Sequence, residues 1–209
     1  IVGIRQDLDI SCWEFPKEKY GDGKGKLPYL TVEDAISDLP YLNESETVTK
    51  YTLPPQNAYQ ALMRGNCVNL ADHFIGTYGD KIRTVIRNVV QGEGKRYFNS
   101  LIDKGLLDKK YYLTSGYNNT YGRLWWNKPS TTITNSFGTP SALRCIHPLQ
   151  NRALSTREGA RLQSFPDWFC FCGNKYEKNS QVGNAVPPLL AIALAKQVQR
   201  CFKRWEDIQ

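Results

Sequence analysis

The amino-acid sequence predicts a mixed α/β fold, and three observations predict it. Two capping boxes, each followed by a proline, mark short helices. The β-branched runs Ile1-Val-Gly-Ile4 and Ser130-Thr-Thr-Ile-Thr134 read as strands. An apolar stripe at spacings of three and four marks a longer helix near the C-terminal end. The 209 residues are 41% apolar and 22% charged, which is a globular composition and excludes wholesale disorder. No apolar run is long enough to span a bilayer, and no basic-then-apolar leader opens the chain.

Taken in order, Ile1-Val-Gly-Ile4 is expected to be a buried strand. Residues 16–28 hold Pro16, four lysines, Gly21, Gly23 and Gly25 and read as loop. Thr31-Val-Glu-Asp34 starts a helix that stops before Pro40 and buries Val32, Ala35, Ile36 and Leu39. Residues 41–120 carry turn residues and scattered apolar pairs, which suggests short strands, loops and one or two helices. Ile82, Val85, Ile86, Val89 and Val90 fit a helix face or a strand equally well. Ser155-Thr-Arg-Glu158 opens a helix to about Ser164, ended by Pro166. Pro187-Pro188 occupies the first turn of the last helix. Its stripe of Leu190, Leu194, Val198, Cys201, Phe202 and Trp205 is expected to pack on a sheet.

Cysteines at 12, 67, 145, 170, 172 and 201 follow no disulfide or zinc spacing and read as reduced thiols of an intracellular protein. Charge is unevenly distributed. Residues 1–49 carry a net −5, residues 50–204 a net +14, and the whole chain +7. Between Lys109 and Arg157 seven basic residues occur with no Asp or Glu, among tyrosines, tryptophans, Ser, Thr and Asn. Those are the ingredients of a surface that tracks phosphates, and equally those of a solvated basic face. The missing carboxylates favour nucleic acid.

Two segments are more specific. Arg157-Glu-Gly-Ala-Arg-Leu-Gln-Ser-Phe-Pro-Asp167 resembles the ninth conserved block of DNA cytosine-5 methyltransferases, and Gln181-Val-Gly-Asn-Ala-Val-Pro-Pro188 resembles the tenth. Pro129-Ser-Thr-Thr-Ile-Thr134 and Ile146-His-Pro148 resemble the end of that family's target-recognition domain. Ile1-Val-Gly-Ile-Arg5 resembles the tail of its eighth block. The resemblance implies the C-terminal portion of a doubly wound (Rossmann-like) methyltransferase domain plus a smaller, mostly β target-recognition domain. The expected boundaries are 1–40 for the end of the catalytic core, 41–164 for target recognition, and 165–209 for the return to the core.

The resemblance further implies duplex DNA as partner and S-adenosylmethionine as cofactor. Asn184 and Val186 fall at positions that line the methyl-donor pocket. Thr132 and Ile133 match the recognition-domain pair near the flipped base, and Arg123, Lys128 and Arg144 are the candidate phosphate or base contacts. Arg152, Arg157, Glu158, Arg161 and Gln163 are expected to form a structural polar network. Two departures stand out. Cys145 replaces a common aromatic before Ile146, and Gly159 sits inside a helix at an expected cost of up to about 1 kcal/mol relative to alanine.

The family's cysteine nucleophile follows a proline, and no cysteine here does. Its Glu-Asn-Val and Phe-x-Gly-x-Gly segments are also absent. With Ile1 first and Met63 the only methionine, the chain reads as part of something larger. It is expected to be inactive alone, either as one part of a longer chain or as the recognition subunit of a divided enzyme. The catalytic half would then be its partner, in a bacterial cytoplasm or a eukaryotic nucleus, serving restriction-modification or epigenetic marking. The alternative is a DNA-binding module without methylation activity.

Overall fold

The computed structural model describes residues 2–5, 7 and 13–206, the last four of them by backbone only. These residues form two compact units. One comprises Ile1–Pro28 with Val186–Gln209, and the other Tyr29–Ala185. The expected boundaries near 40 and 164 both fall inside the second unit. No helix among the described residues is long and apolar enough to cross a membrane.

The larger unit is built on short, well-capped helices. Helix α1 (Val32–Ile36) starts with the expected capping box, Thr31 accepting from the Asp34 amide while the Asp34 carboxylate accepts from the Thr31 amide. Its next two amides, Val32 and Glu33, donate to the carbonyls of Lys128 and Trp126 at 3.0 Å each. Helix α2 (Ala58–Arg64) is capped by Asn57. Helix α3 (Asp80–Asn88) takes up Ile82, Val85 and Ile86 of the ambiguous apolar run, with Val89 as its extended C-cap and Val90 beyond it, and α4 (Lys95–Asp103) follows. A single 3₁₀ turn spans Lys109–Tyr111. Helix α5 (Thr156–Leu162) opens with the second predicted capping box, Ser155 with Glu158. Helix α6 (Lys175–Asn184) has a third, Asn174 with Glu177.

Helix α5 packs on both α1 and α6, and α1 on α2. Around them Val32, Ile36, Leu124, Ile133, Phe137, Leu154, Ala160, Phe165 and Val182 form the main apolar core. A second core lies between α3 and α4, with Val85, Val89, Phe98, Ile102 and Leu113. Gly159 has a reason to be glycine: a Cβ there would collide with the Phe137 ring. Alanine is therefore no improvement at this site, whatever its helix propensity.

The expected β lobe does not appear as a sheet. Within the larger unit, pairing among the described residues stops at isolated bridges, Thr47 to Phe74, Lys50 to Asn69, Arg123 to Gln91 and Ile146, and Ile146 to Ala153. Side chains take the backbone groups that a ladder would use. The Arg123 guanidinium alone donates to the carbonyls of Ile86, Val89, His147 and Gln150. Residues 130–134 form no strand.

In the smaller unit the first-strand expectation fails as well. Ile1 lies outside the described residues, and Val2 and Ile4 are exposed and, among the described residues, form no strand. Helix α7 (Pro188–Glu206) forms as predicted, but not against a sheet. Of its stripe, Cys201 is buried, while Leu190, Val198 and Phe202 remain exposed. The Trp205 side chain lies outside the described part.

Candidate functional site

The site residues expected from the sequence separate into anchored and open groups. Arg123 is anchored. It is 5% exposed, and its five N–H groups reach four carbonyls at 2.5–2.8 Å and the Asn151 Oδ1 at 2.9 Å. A guanidinium so engaged ties α3 to the 146–151 turn and has no donor left for a phosphate. Ile133 is also anchored, 4% exposed in the main core. Its neighbour Thr132 is exposed.

Arg144 and Lys128 flank Trp125. The Arg144 guanidinium carbon lies 4.3 Å from the Trp125 ring centroid and the Lys128 Nζ 5.0 Å. Arg144 also donates to the Gly92 carbonyl. Lys128 is exposed and Arg144 half-buried, so both keep charge at the surface. Of the seven cations in the acid-free stretch, Arg123, Arg152 and Arg157 are buried. The stretch is therefore half interior, and its outward charge comes from Lys109, Lys110, Lys128 and part of Arg144.

The segment that follows, 131–135, meets the C-terminal end of α6 backbone to backbone. A Cβ on Gly183 would overlap the main chain of Thr134 and Asn135. This close approach places Asn184 on the turn of α6 that adjoins the Thr132 segment. The Asn184 amide Nδ2 donates to the Ser180 Oγ at 3.1 Å, and among the described residues its Oδ1 has no hydrogen-bond partner. In the other unit Val186 is 58% exposed.

Below this surface lies the buried polar network expected from the sequence. Arg161 grips Asp167 with two bonds of 2.6 and 2.7 Å and Asp38 with two of 3.1 and 3.2 Å. Arg157 donates to the carbonyls of Ala71, Pro166 and Phe169. Arg152 holds Glu158 bidentately at 2.6 and 2.7 Å. Burial alone would raise Glu158, but Arg152 overrides it and holds the carboxyl far below the usual range. Gln163 joins by donating to the Val182 carbonyl at 3.2 Å.

Two histidines, not expected as part of the network, complete it. His147 Nδ1 accepts the amides of Leu149 and Gln150 at 3.1 Å each. The ring is therefore neutral, with its proton on Nε2. Burial pushes its pKa down to about 4, with Glu158 opposing and Arg152 and Arg123 assisting. The 3.7 Å approach of His147 to Glu158 is thus not an ion pair. His73 donates from Nε2 to the Pro40 carbonyl and accepts at Nδ1 from Ser155, and burial lowers it too. Cys145 donates to the Thr139 carbonyl, and burial pushes its thiol up to about 12, which makes it packing rather than a nucleophile.

A family profile for C-5 cytosine-specific DNA methylases matches residues 1–200. The chain belongs to the C-5 cytosine-specific DNA methylase family. It is 31% identical over 226 residues to the type II methyltransferase M.AgeI of Thalassovita gelatinovora, covering 85% of this chain and 52% of that protein. It is 33% identical to M.DdeI of Desulfomicrobium norvegicum, covering 84% of this chain and 44% of that one. DNA (cytosine-5)-methyltransferase 2 of Arabidopsis thaliana is 32% identical, over 86% of this chain and 13% of the plant protein. The chain thus spans about half or less of these methylase relatives. A crystallised prophage-encoded E. coli protein, assigned as a DNA modification methyltransferase, superimposes with a TM-score of 0.54. It is 20% identical and covers 86% of this chain and 49% of its own, a likeness that bears on the fold.

Proposed function

We propose that this chain supplies the DNA-gripping and cofactor-closing part of a cytosine-5 DNA methyltransferase. The reaction would move a methyl group from S-adenosylmethionine to cytosine in duplex DNA. The observation that carries the reading is the backbone contact of Gly183 with Thr134 and Asn135. It makes the segment this reading turns toward DNA and the Asn184 turn one rigid piece. In this reading Thr132 donates its hydroxyl to the DNA backbone near the target base, and Ile133 pins that segment into the core. Lys128 and Arg144, spaced by Trp125, neutralise phosphates. Arg123 holds the lobe together and does not touch DNA.

S-adenosylmethionine, when bound, supplies the electrophilic methyl group. Asn184 offers an amide oxygen to it and Val186 an apolar contact. The nucleophile is not among these residues, since no cysteine follows a proline. In this reading the 209 residues alone bind duplex DNA but transfer no methyl group, and a catalytic half carrying Pro-Cys-Gln, in the same longer chain or as a separate subunit, completes them. The assay mixes the 209-residue chain, a catalytic half from a relative such as M.AgeI, duplex DNA and labelled methyl donor. Transfer is expected in the mixture only. Turnover by the chain alone at the rate of an intact enzyme would overturn the reading.

A further inference from the structure

Helix α4 begins with a lysine in an uncommon setting. Lys95 is 8% exposed, and among the described residues no carboxylate pairs with it. Its Nζ donates instead to the carbonyls of Thr114, Ser115 and Gly116 at 3.3, 3.0 and 2.9 Å. The first α4 amides continue the pattern, Lys95 to the Thr120 carbonyl at 2.8 Å and Arg96 to that of Asn118 at 3.3 Å. Thr120 closes it, donating to the Tyr117 carbonyl from its amide and its hydroxyl. Every carbonyl from Thr114 to Thr120 except that of Asn119 is therefore turned inward and satisfied. Gly116, at φ +86°, permits the turn.

A desolvated ammonium without a counter-charge is costly. What it achieves here is a loop fixed before any ligand arrives. The side chains of that loop do the opposite of its backbone. Ser115, Tyr117, Asn118 and Asn119 all face solvent, Tyr117 with 80% exposure, and none makes a hydrogen bond within the described residues. Tyr, Ser, Gly and Asn on a rigid turn combine a large contact area with adaptable hydrogen bonding at little entropic cost. The loop also lies in the acid-free stretch, a few residues beyond the exposed Lys109 and Lys110.

We propose that residues 115–119 are the sequence-reading loop, which determines the bases accepted beside the modified cytosine. This rests on the DNA reading above. Phosphate contacts position a duplex, and base edges identify it. An asparagine amide matches the N6 and N7 edge of adenine in the major groove, so Asn118 and Asn119 address an A·T pair. Tyr117 packs beside them and excludes water.

The test selects duplexes from a randomised pool with the full 209-residue chain at fixed salt and sequences what is bound. The triple variant Tyr117→Ala, Asn118→Ala, Asn119→Ala is run beside the wild type. Its loop backbone bonds do not involve the replaced side chains, so a melting curve matching the wild type is expected. The wild type is expected to prefer A·T at one or more positions by about 10-fold or more. The variant loses that preference while its affinity for non-specific duplex changes less than about 3-fold. A sequence preference unchanged by the triple substitution would overturn the proposal, and so would a wild type that binds duplexes without preference. Failure of the wild type to bind any duplex would strike the DNA reading itself.

Discussion

Arg123 gives the sharpest test of how charge is used in this chain. In Arg123→Met the methionine fills most of the stem's volume but offers no donor. Three backbone carbonyls, on Ile86, Val89 and His147, lose their partner in a site that is 5% exposed, while that of Gln150 keeps the Arg152 amide at 3.0 Å. An orphaned buried acceptor costs about 1–3 kcal/mol. The low end applies, because removing a buried cation also returns its own desolvation cost. Three carbonyls at about 1 kcal/mol each give about 3 kcal/mol, a large share of a typical domain's stability. At this size that is a fall in Tm of about 10 °C. The assay is urea and thermal unfolding of wild type and variant, with DNA binding measured below both transitions. A Tm within about 2 °C of wild type combined with a clear loss of DNA affinity would refute the reasoning and return Arg123 to the DNA contacts.

His147→Asn should flatten the acid limb of the stability curve. The native ring titrates near 4, below the ordinary value of 6.5, so the unfolded chain binds the extra proton first. Stability from this group is present above 6.5 and is lost as pH falls to about 4, by about 3 kcal/mol in all. Urea unfolding at pH 7, 5.5 and 4 reads it, and an equal slope in the variant would exclude His147 as the source. Gly183→Ala should cost about 1–3 kcal/mol, since the new methyl group meets main chain rather than a movable side chain. Thermal unfolding measures it, and an unchanged Tm would mean that the close backbone approach is absent in solution.

Helices with a local signal were legible in the sequence. Thr31 with Asp34 and Ser155 with Glu158 announced α1 and α5, and the closed reciprocal bonds are present in both. Asn174 with Glu177 carries the same signal at the start of α6, with an asparagine in place of Ser or Thr. Helices α2 and α4 were less visible. Asn57 caps α2 without an acidic partner, and Gly94 gives α4 no side-chain cap at all. Strands were misjudged for a different reason. β-branching in residues 130–134 reports a preference for extended backbone, but a ladder also needs a neighbour with free N–H and C=O groups. Here no such neighbour pairs with the segment among the described residues, and it is held instead by Ile133 in the core and by the close approach of Gly183.

The site was legible where chemistry depends on a single residue type and obscure where it depends on surroundings. Gly183 and the arginines of the ninth block could be singled out by position. Whether an arginine faces phosphate or carbonyl could not. Arg123, Arg144 and Arg152 fall in one stretch without acids, yet each has a different fate. Arg152 is neutralised by Glu158, which lies just past the end of that stretch. Arg123 is satisfied by four carbonyls, which carry no sequence signature. Arg144 alone rests on an aromatic face with part of its charge at the surface. The distinction matters for reading basic proteins generally. Carbonyl clusters can absorb cations as fully as carboxylates do, so a local excess of arginine over acid sets only an upper bound on the charge a surface presents. In this chain the bound is loose, and the outward field rests mainly on lysines, whose strongly hydrated ammonium groups stay at the surface unless a set of carbonyls such as that around Lys95 replaces the water.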